Sequence, residues 1–387
     1  MNTTLPTTDL DEVVDLTCRL IAIDSVNPAL VSGGAGEAQI ATAVCEWLTD
    51  RGFTCRRLEA TPGRPSVLAT ASGTGGGSSL MLNGHLDTVS LASYHGDGLQ
   101  PTVHDGRLHG RGAYDMKSGL AAMMVAAARA HQSPHRGDIV LALVADEEHV
   151  SLGTEEVLRH RTTDAAIVVE PTGLDLVTAH RGFVWATVTV HGRAAHGSRP
   201  DLGLDAIAKA GRFLTALDKH AEHLTARSPH PRLGTGNLHA GTITGGAEIS
   251  SYPASCVITL ERRTLPGEGP ATFERELTDL HDNITRTDPG LAADIEITTH
   301  RPSFEAAPDS RIATTLSKAF HTVAGRAPTR RGEAFWTDCA LLDERGIDTV
   351  MFGVDGGGAH AAEEWVAIDS LQTTTTVLHH TIGQYVS

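Results

Sequence analysis

The sequence predicts an α/β protein with a smaller α+β domain inserted into it. Three observations lead there. Apolar runs long enough for buried strands alternate with helical periodicity over the first 176 residues. The pattern then changes to alternating strands with two long helices, and helix–strand alternation resumes from Ser310. The chain has 387 residues, too many for one ordinary core. The division expected is a discontinuous outer domain, 1–176 and 300–387, interrupted by an inserted domain, 177–299.

In order along the chain, residues 10–23 and 37–51 carry helical periodicity, the second ending at Gly52. Apolar stretches follow at 66–71 and 79–83, the latter leading into Gly84-His85. Residues 119–131 read as a helix of small side chains, suited to close packing on a sheet. The run 138–145 ends at Asp146-Glu147-Glu148, and the run 165–169 ends at Glu170-Pro171. In the insert, 184–190, 238–244, 256–261 and 294–299 read as strands, and 204–226 and 271–287 as helices. The Gly-Thr-Gly-Gly-Gly-Ser run at 73–78 is a loop; it lacks a lysine and opens no helix, so it is no phosphate cradle.

Composition narrows the partners. Apolar residues make up 40% and charged residues 20%, a soluble globular mix. A net charge of -16 argues against a nucleic-acid partner. The five cysteines, an odd number with no C-x-x-C pair, point away from a disulfide framework and from thiolate-ligated zinc. Met1–Asp11 is polar and acidic, with no signal peptide, and the Ala-rich run near 120–130 is too short to span a membrane. A cytoplasmic location is expected.

Chemistry concentrates at strand ends and the loops beyond them, where open α/β sheets hold ligands. His85 and Asp87 can act as a metal ligand and its orienting carboxylate. Asp115 follows a glycine-rich turn at the start of a helix, where an isolated aspartate would otherwise be read as an N-cap. The adjacent carboxylates of Asp146, Glu147 and Glu148 call for a counter-charge, which a dication supplies. Glu170 ends a further apolar run, and three glycines lead up to Ala359-His360. Two histidines with several carboxylates suit zinc or a similar dication. Glu147 and Glu148 are neighbours, so one can bind metal while the other faces the attacking water.

The motifs GHLDTV (84–89), GRGAYDMKSG (110–119), ADEE (145–148), VVEPT (168–172), GRAAHGSRP (192–200), ERRTLPGE (261–268) and GGGAHAAEEWV (356–366) run in order along nearly the whole chain. Together they resemble the acetylornithine deacetylase / succinyl-diaminopimelate desuccinylase / carboxypeptidase G superfamily of di-zinc metallopeptidases. The resemblance implies a zinc-peptidase-type catalytic domain with a mixed sheet, and an inserted α+β sandwich that serves as dimerisation and lid domain. It implies that His85, Asp115 and Glu170 hold one zinc and that Asp115, Glu148 and His360 hold the other. Asp87 would orient His85, and Glu147 would be the general base acting on a metal-bridging water. His196 would come from the partner subunit of a homodimer to stabilise the oxyanion, and Arg263 would bind the substrate carboxylate. Arg262, on the opposite face of that strand, reads as structural. This chain departs from the pattern at Glu261, where relatives have Asp, and at Ser250, where many have an Asn near the substrate.

The activity implied is removal of an acyl group from a small N-acyl amino acid or related compound. A dipeptidase or carboxypeptidase would use the same centre, and a metal-binding protein without catalysis ranks below both, because the base and all ligand positions are filled. The cofactors expected are two divalent ions, zinc foremost, with cobalt and manganese as alternatives.

Overall fold

The apolar runs become the middle of a mixed sheet. The computed structural model describes the chain from Thr7 to Ser387, with side chains from Glu12 onward. The stretch Met1–Asp11, read above as carrying no signal peptide, therefore falls outside the described side chains. Met1–Pro6 fall outside the described residues altogether. The first part of the chain forms α1 (Thr7–Ile21), α2 (Ala38–Thr49), β1 (Thr54–Leu58), β2 (Ser66–Ala71), β3 (Leu80–His85), β4 (Thr102–His104), β5 (Arg107–His109), α3 (Lys117–His131), β6 (Ile139–Val144), α4 (Leu152–His160), β7 (Ala165–Val168) and β8 (Leu176–His180). Then come β9 (Gly182–His191), α5 (Ala206–Thr225), β10 (Asn237–Gly245), β11 (Ser255–Thr264), α6 (Pro270–Thr285), β12 (Ala292–Arg301) and β13 (Phe304–Glu305). The chain ends with α7 (Arg311–Ala324), β14 (Arg330–Glu333), α8 (Cys339–Asp343), β15 (Asp348–Met351), β16 (Gly356–Gly357), β17 (Trp365–Ala367) and α9 (Ile368–Tyr385).

Two compact units result: 1–178 with 306–331 and 337–387, and 179–305 with 332–336. In the first, strands lie in the order β1-β2-β6-β3-β7-β15-β8. The central β6, β3, β7 and β15 are parallel, while β2 and β8 join them antiparallel. Every residue of β3, β6 and β7 is buried, as expected of parallel strands covered on both faces. The helix α3 is buried along almost its whole length, packed against α1, α9, β3 and β6. Its alanines and Gly119 permit that approach: a Cβ on Gly119 would stand 2.4 Å from the carbonyl oxygen of Val169. A small second sheet, β16-β17-β5-β4, draws 102–109 and 356–367 together.

The second unit is a four-stranded antiparallel sheet, β10-β11-β9-β12. The central strands β9 and β11 alternate buried residues with more exposed ones, so one face packs on helices and the other does not. Val184, Val188, Ile258 and Leu260 meet Phe213 and Leu217 of α5 and Phe273 and Leu277 of α6 in a core of their own. Asp205 caps α5 by accepting from the Ala208 amide at 2.9 Å, and Ser310 caps α7 in the same way at 3.0 Å. No helix among the described residues is long and apolar enough to cross a membrane.

Candidate metal centre

The four parallel strands deliver the chemistry to one edge of the sheet. His85 is the last residue of β3. Glu147 and Glu148 follow β6, Glu170 follows β7, and the chain beyond β15 leads to His360. Asp115 enters from the turn before α3. It does not cap that helix: the cap position is Met116, without a side-chain bond, and the Asp115–Met116 peptide is cis.

The side chains converge. His85 Nε2 lies 3.1 Å from Asp115 Oδ1 and 3.6 Å from Glu170 Oε1. His360 Nε2 lies 3.0 Å from Glu148 Oε2 and 3.3 Å from Asp115 Oδ2. Asp115 thus stands between the imidazoles, one oxygen toward each. Candidate ligand atoms of His85, Asp115 and Glu148 lie within 4.8 Å of one another, and so do those of His85, Glu147 and Glu170. Nitrogen and carboxylate donors at this spacing fit a divalent cation.

The electrostatics describe a site short of positive charge. Burial, then the charge of Glu170, holds Glu147 well above the usual carboxylate range. Burial likewise pushes Glu170 up to about 8, against the pull of His85. Asp115 goes the other way: burial opposes its ionisation, but hydrogen bonds with His360 and His85 hold it below the ordinary aspartate value. Hydrogen bonds to Asp115 and Glu148 raise His360 to about 10, and His85 is raised despite its burial by Glu170 and Asp115.

Asp87 acts differently from the expected orienting carboxylate. The near acceptor for His85 Nδ1 is the backbone carbonyl of Asp87, at 2.9 Å; the carboxylate is 3.7 Å away. That bond leaves Nε2 as the nitrogen that faces Asp115 and Glu170, the one a cation between these groups would take. The carboxylate has closer donors. It accepts from the amides of Glu147 and Glu148, both at 3.2 Å, and from Asn27 Nδ2 at 2.8 Å. These bonds tie Asp87 to the turn that carries the two glutamates. Asp146, in the left-handed region at φ 69, starts that turn, and its carbonyl accepts from the amides of Val150 and Ser151.

Sequence reasoning missed the polar groups behind the site. Arg64 Nη2 reaches Asp146 at 2.8 Å and Glu37 at 2.7 Å, and Asn27 bridges Asp87 to Asp146. Buried Asp338 accepts from Thr154 Oγ1 at 2.6 Å, and its charge contributes to the raised values of Glu147 and Glu170. Glu364 accepts from the amides of Tyr114 and Asp115, both at 2.9 Å. Glu364 lay inside a motif without being singled out; Asn27, Glu37, Arg64 and Asp338 are single polar residues without a repeating pattern.

The remaining candidates lie in the second unit. His196 is exposed, and its Nδ1 accepts from the Ser198 amide at 3.2 Å. Arg263 Nε donates to Glu261 at 2.7 Å, and its guanidinium lies 5.3 Å from the centre of the Phe183 ring. Arg262 is buried with Glu268 and Glu276, the structural role read for it. Ser250 is exposed, and its carbonyl accepts from the Gly197 amide at 2.7 Å.

Comparison with known proteins gives the family. Residues 81–384 match the model of peptidase family M20/M25/M40. An acetylornithine deacetylase of Myxococcus xanthus is 31% identical over 330 residues, 83% of this chain and 84% of that one. One from Vibrio atlanticus is 28% identical over 380 residues, 95% of this chain and 96% of that one. Among solved structures, an aminopeptidase from Bacillus cereus superposes with a TM-score of 0.79 at 20% identity, covering 98% of this chain and 99% of that one. A dinuclear metal-binding M20 peptidase from Bacillus subtilis does so with a TM-score of 0.71 at 14% identity, covering 98% and 99%. The chain belongs to peptidase family M20/M25/M40 and is a metal-dependent hydrolase of amide bonds.

Proposed function

We propose that the protein removes the acyl group from a small N-acyl amino acid, with two zinc ions at the strand-end cluster. The observation that carries this is the convergence of His85, His360, Asp115, Glu148 and Glu170 at one sheet edge, with Glu147 among them. His85, Asp115 and Glu170 would hold one ion and Asp115, Glu148 and His360 the other. When bound, such a pair supplies Lewis acidity that acidifies a water and polarises the amide carbonyl.

The protein's own groups do the rest. Glu147 takes the proton of the attacking water on its carboxylate and passes it to the departing amine nitrogen. A glutamate carboxylate lying beside His85 and Glu170 can accept a proton from that water and return it to the amine. His196 Nδ1 is engaged by the Ser198 amide and hydroxyl, which leaves Nε2 as the nitrogen to donate to a developing oxyanion. Arg263, with Nε engaged by Glu261, presents its outer nitrogens to a substrate carboxylate. Ser250 remains a substrate-side candidate through its place beside Gly197.

The same reading makes the second unit a dimerisation and lid domain. Its edge strand β10 is exposed over most of its length and carries exposed Ile243; exposed Ile207 of α5 lies near Gly245 at the strand's end. An unpaired apolar edge of this kind is suited to a two-fold partner. We place the enzyme in the cytoplasm, acting on a small molecule.

A screen of acetyl-, succinyl-, formyl- and aminoacyl-amino acids with the zinc-loaded protein tests the substrate class. The proposal expects the highest kcat/KM on an N-acyl amino acid. Turnover of dipeptides alone would establish the dipeptidase reading instead.

A further inference from the structure

Glu364 is a carboxylate buried to 1% exposure beside Arg111, which is equally buried. Its four close donors come from one segment. Oε1 accepts from the amides of Tyr114 and Asp115 at 2.9 Å each. Oε2 accepts from the Gly112 amide at 3.0 Å and from Arg111 Nη1 at 2.9 Å. An ion pair with Arg111 would account for only one of these bonds. The other three fix the backbone that presents Asp115.

Glu364 is also four residues beyond His360. The two ends of that loop are tied to the same segment: Arg111 Nη2 donates to the Ala361 carbonyl at 3.0 Å, and β17 pairs with β5 through Trp365 and His109. Of these ties, the Glu364 side chain is the one that reaches the Asp115 amide itself, and it joins that loop to the loop of His360, whose side chain meets that of Asp115 at 3.3 Å. Metal ligands must be placed within a few tenths of an ångström, so the groups behind them decide affinity.

We infer that Glu364 is a positioning residue for the metal centre, setting the distance between Asp115 and His360 by gripping the amides of Gly112, Tyr114 and Asp115. This rests on the proposed two-metal reading of the cluster. Glu364→Asp keeps the charge opposite Arg111 but is one methylene short of the amides. Glu364→Gln keeps the length but turns an NH₂ toward donors.

The test is a cobalt(II) titration of chelator-stripped protein, read by bound metal per chain and by the visible absorption of the cobalt form. Thermal melting of the metal-free proteins is recorded alongside. Wild type should bind two ions. Each folded variant should bind one of them about 10–100-fold more weakly, the usual cost of losing such a supporting contact, with a changed cobalt spectrum. If wild type binds two ions and a folded variant matches its affinity and spectrum, Glu364 is a charge partner of Arg111 alone and the inference is overturned. A lowered melting temperature with an unchanged spectrum overturns it equally. If wild type binds no cobalt, the two-metal reading falls and the inference falls with it.

Discussion

At the scale of single residues, position within a turn separates side chains that look alike in sequence. Glu147 and Glu148 are adjacent, yet Glu148 bonds to His360 while Glu147 lies with His85 and Glu170. The Asp87 carboxylate holds both of their amides, and Asp146 at φ 69 opens the turn. Glu147→Gln should keep the metals and lose about 10²–10⁴-fold in kcat, because an amide of the same shape cannot take the proton. Metal content and steady-state rates measured together check this, and near-normal turnover would remove Glu147 as base. Arg263 and His196 should separate kinetically. Arg263→Ala should raise KM, having lost a partner for the bound carboxylate. His196→Ala should act on kcat, by about 10²–10³-fold, as loss of an oxyanion donor does. An unchanged KM in Arg263→Ala would mean that the substrate has no carboxylate there. His85, Glu147, Glu148 and Glu170 stood out because apolar runs point straight at them, and Asp115 and His360 because glycine-rich turns lead up to them. Asn27, Arg64 and Glu37 were not: each is an isolated polar residue whose burial depends on elements distant in sequence.

At the scale of elements, long regular segments were readable and short ones were not. The runs that became β6 and β7 are apolar throughout, β3 opens on Leu80-Met81-Leu82, and α5, α6 and α7 carry clear helical stripes. By contrast β4, β5, β16 and β17 have two or three residues each, too few for a period, and exist only through pairing. The role of α3 was visible in its small residues, and it yields a paired prediction. Gly119→Ala should destabilise by about 1–3 kcal/mol, since its Cβ would press on the Val169 carbonyl, one residue before Glu170. Gly211→Ala, in exposed mid-α5 with nothing within 4 Å of a new Cβ, should stabilise by about 0.5–1 kcal/mol. Thermal melts of the two variants should shift in opposite directions; shifts of the same sign would contradict the packing described for α3.

At the scale of the whole molecule, the change of pattern after residue 176 reflects a change of architecture. Parallel strands buried on both faces give way to antiparallel strands buried on one, each set with its own core. Residues 332–336 group with the second unit although they lie in the last third of the chain. If β10 and α5 form a two-fold interface, light scattering should give twice the mass of one chain at working concentration, and a strict monomer would contradict that. The central claim is that the strand-end cluster is a two-metal amidohydrolase centre. Its most direct test is a zinc titration of chelated protein that follows bound metal and hydrolysis of the best N-acyl amino acid in the same samples. The account predicts no turnover without metal and a plateau of activity reached by two ions per chain. Full activity of metal-free protein, or zinc binding unaffected by replacing both His85 and His360 with alanine, would contradict it.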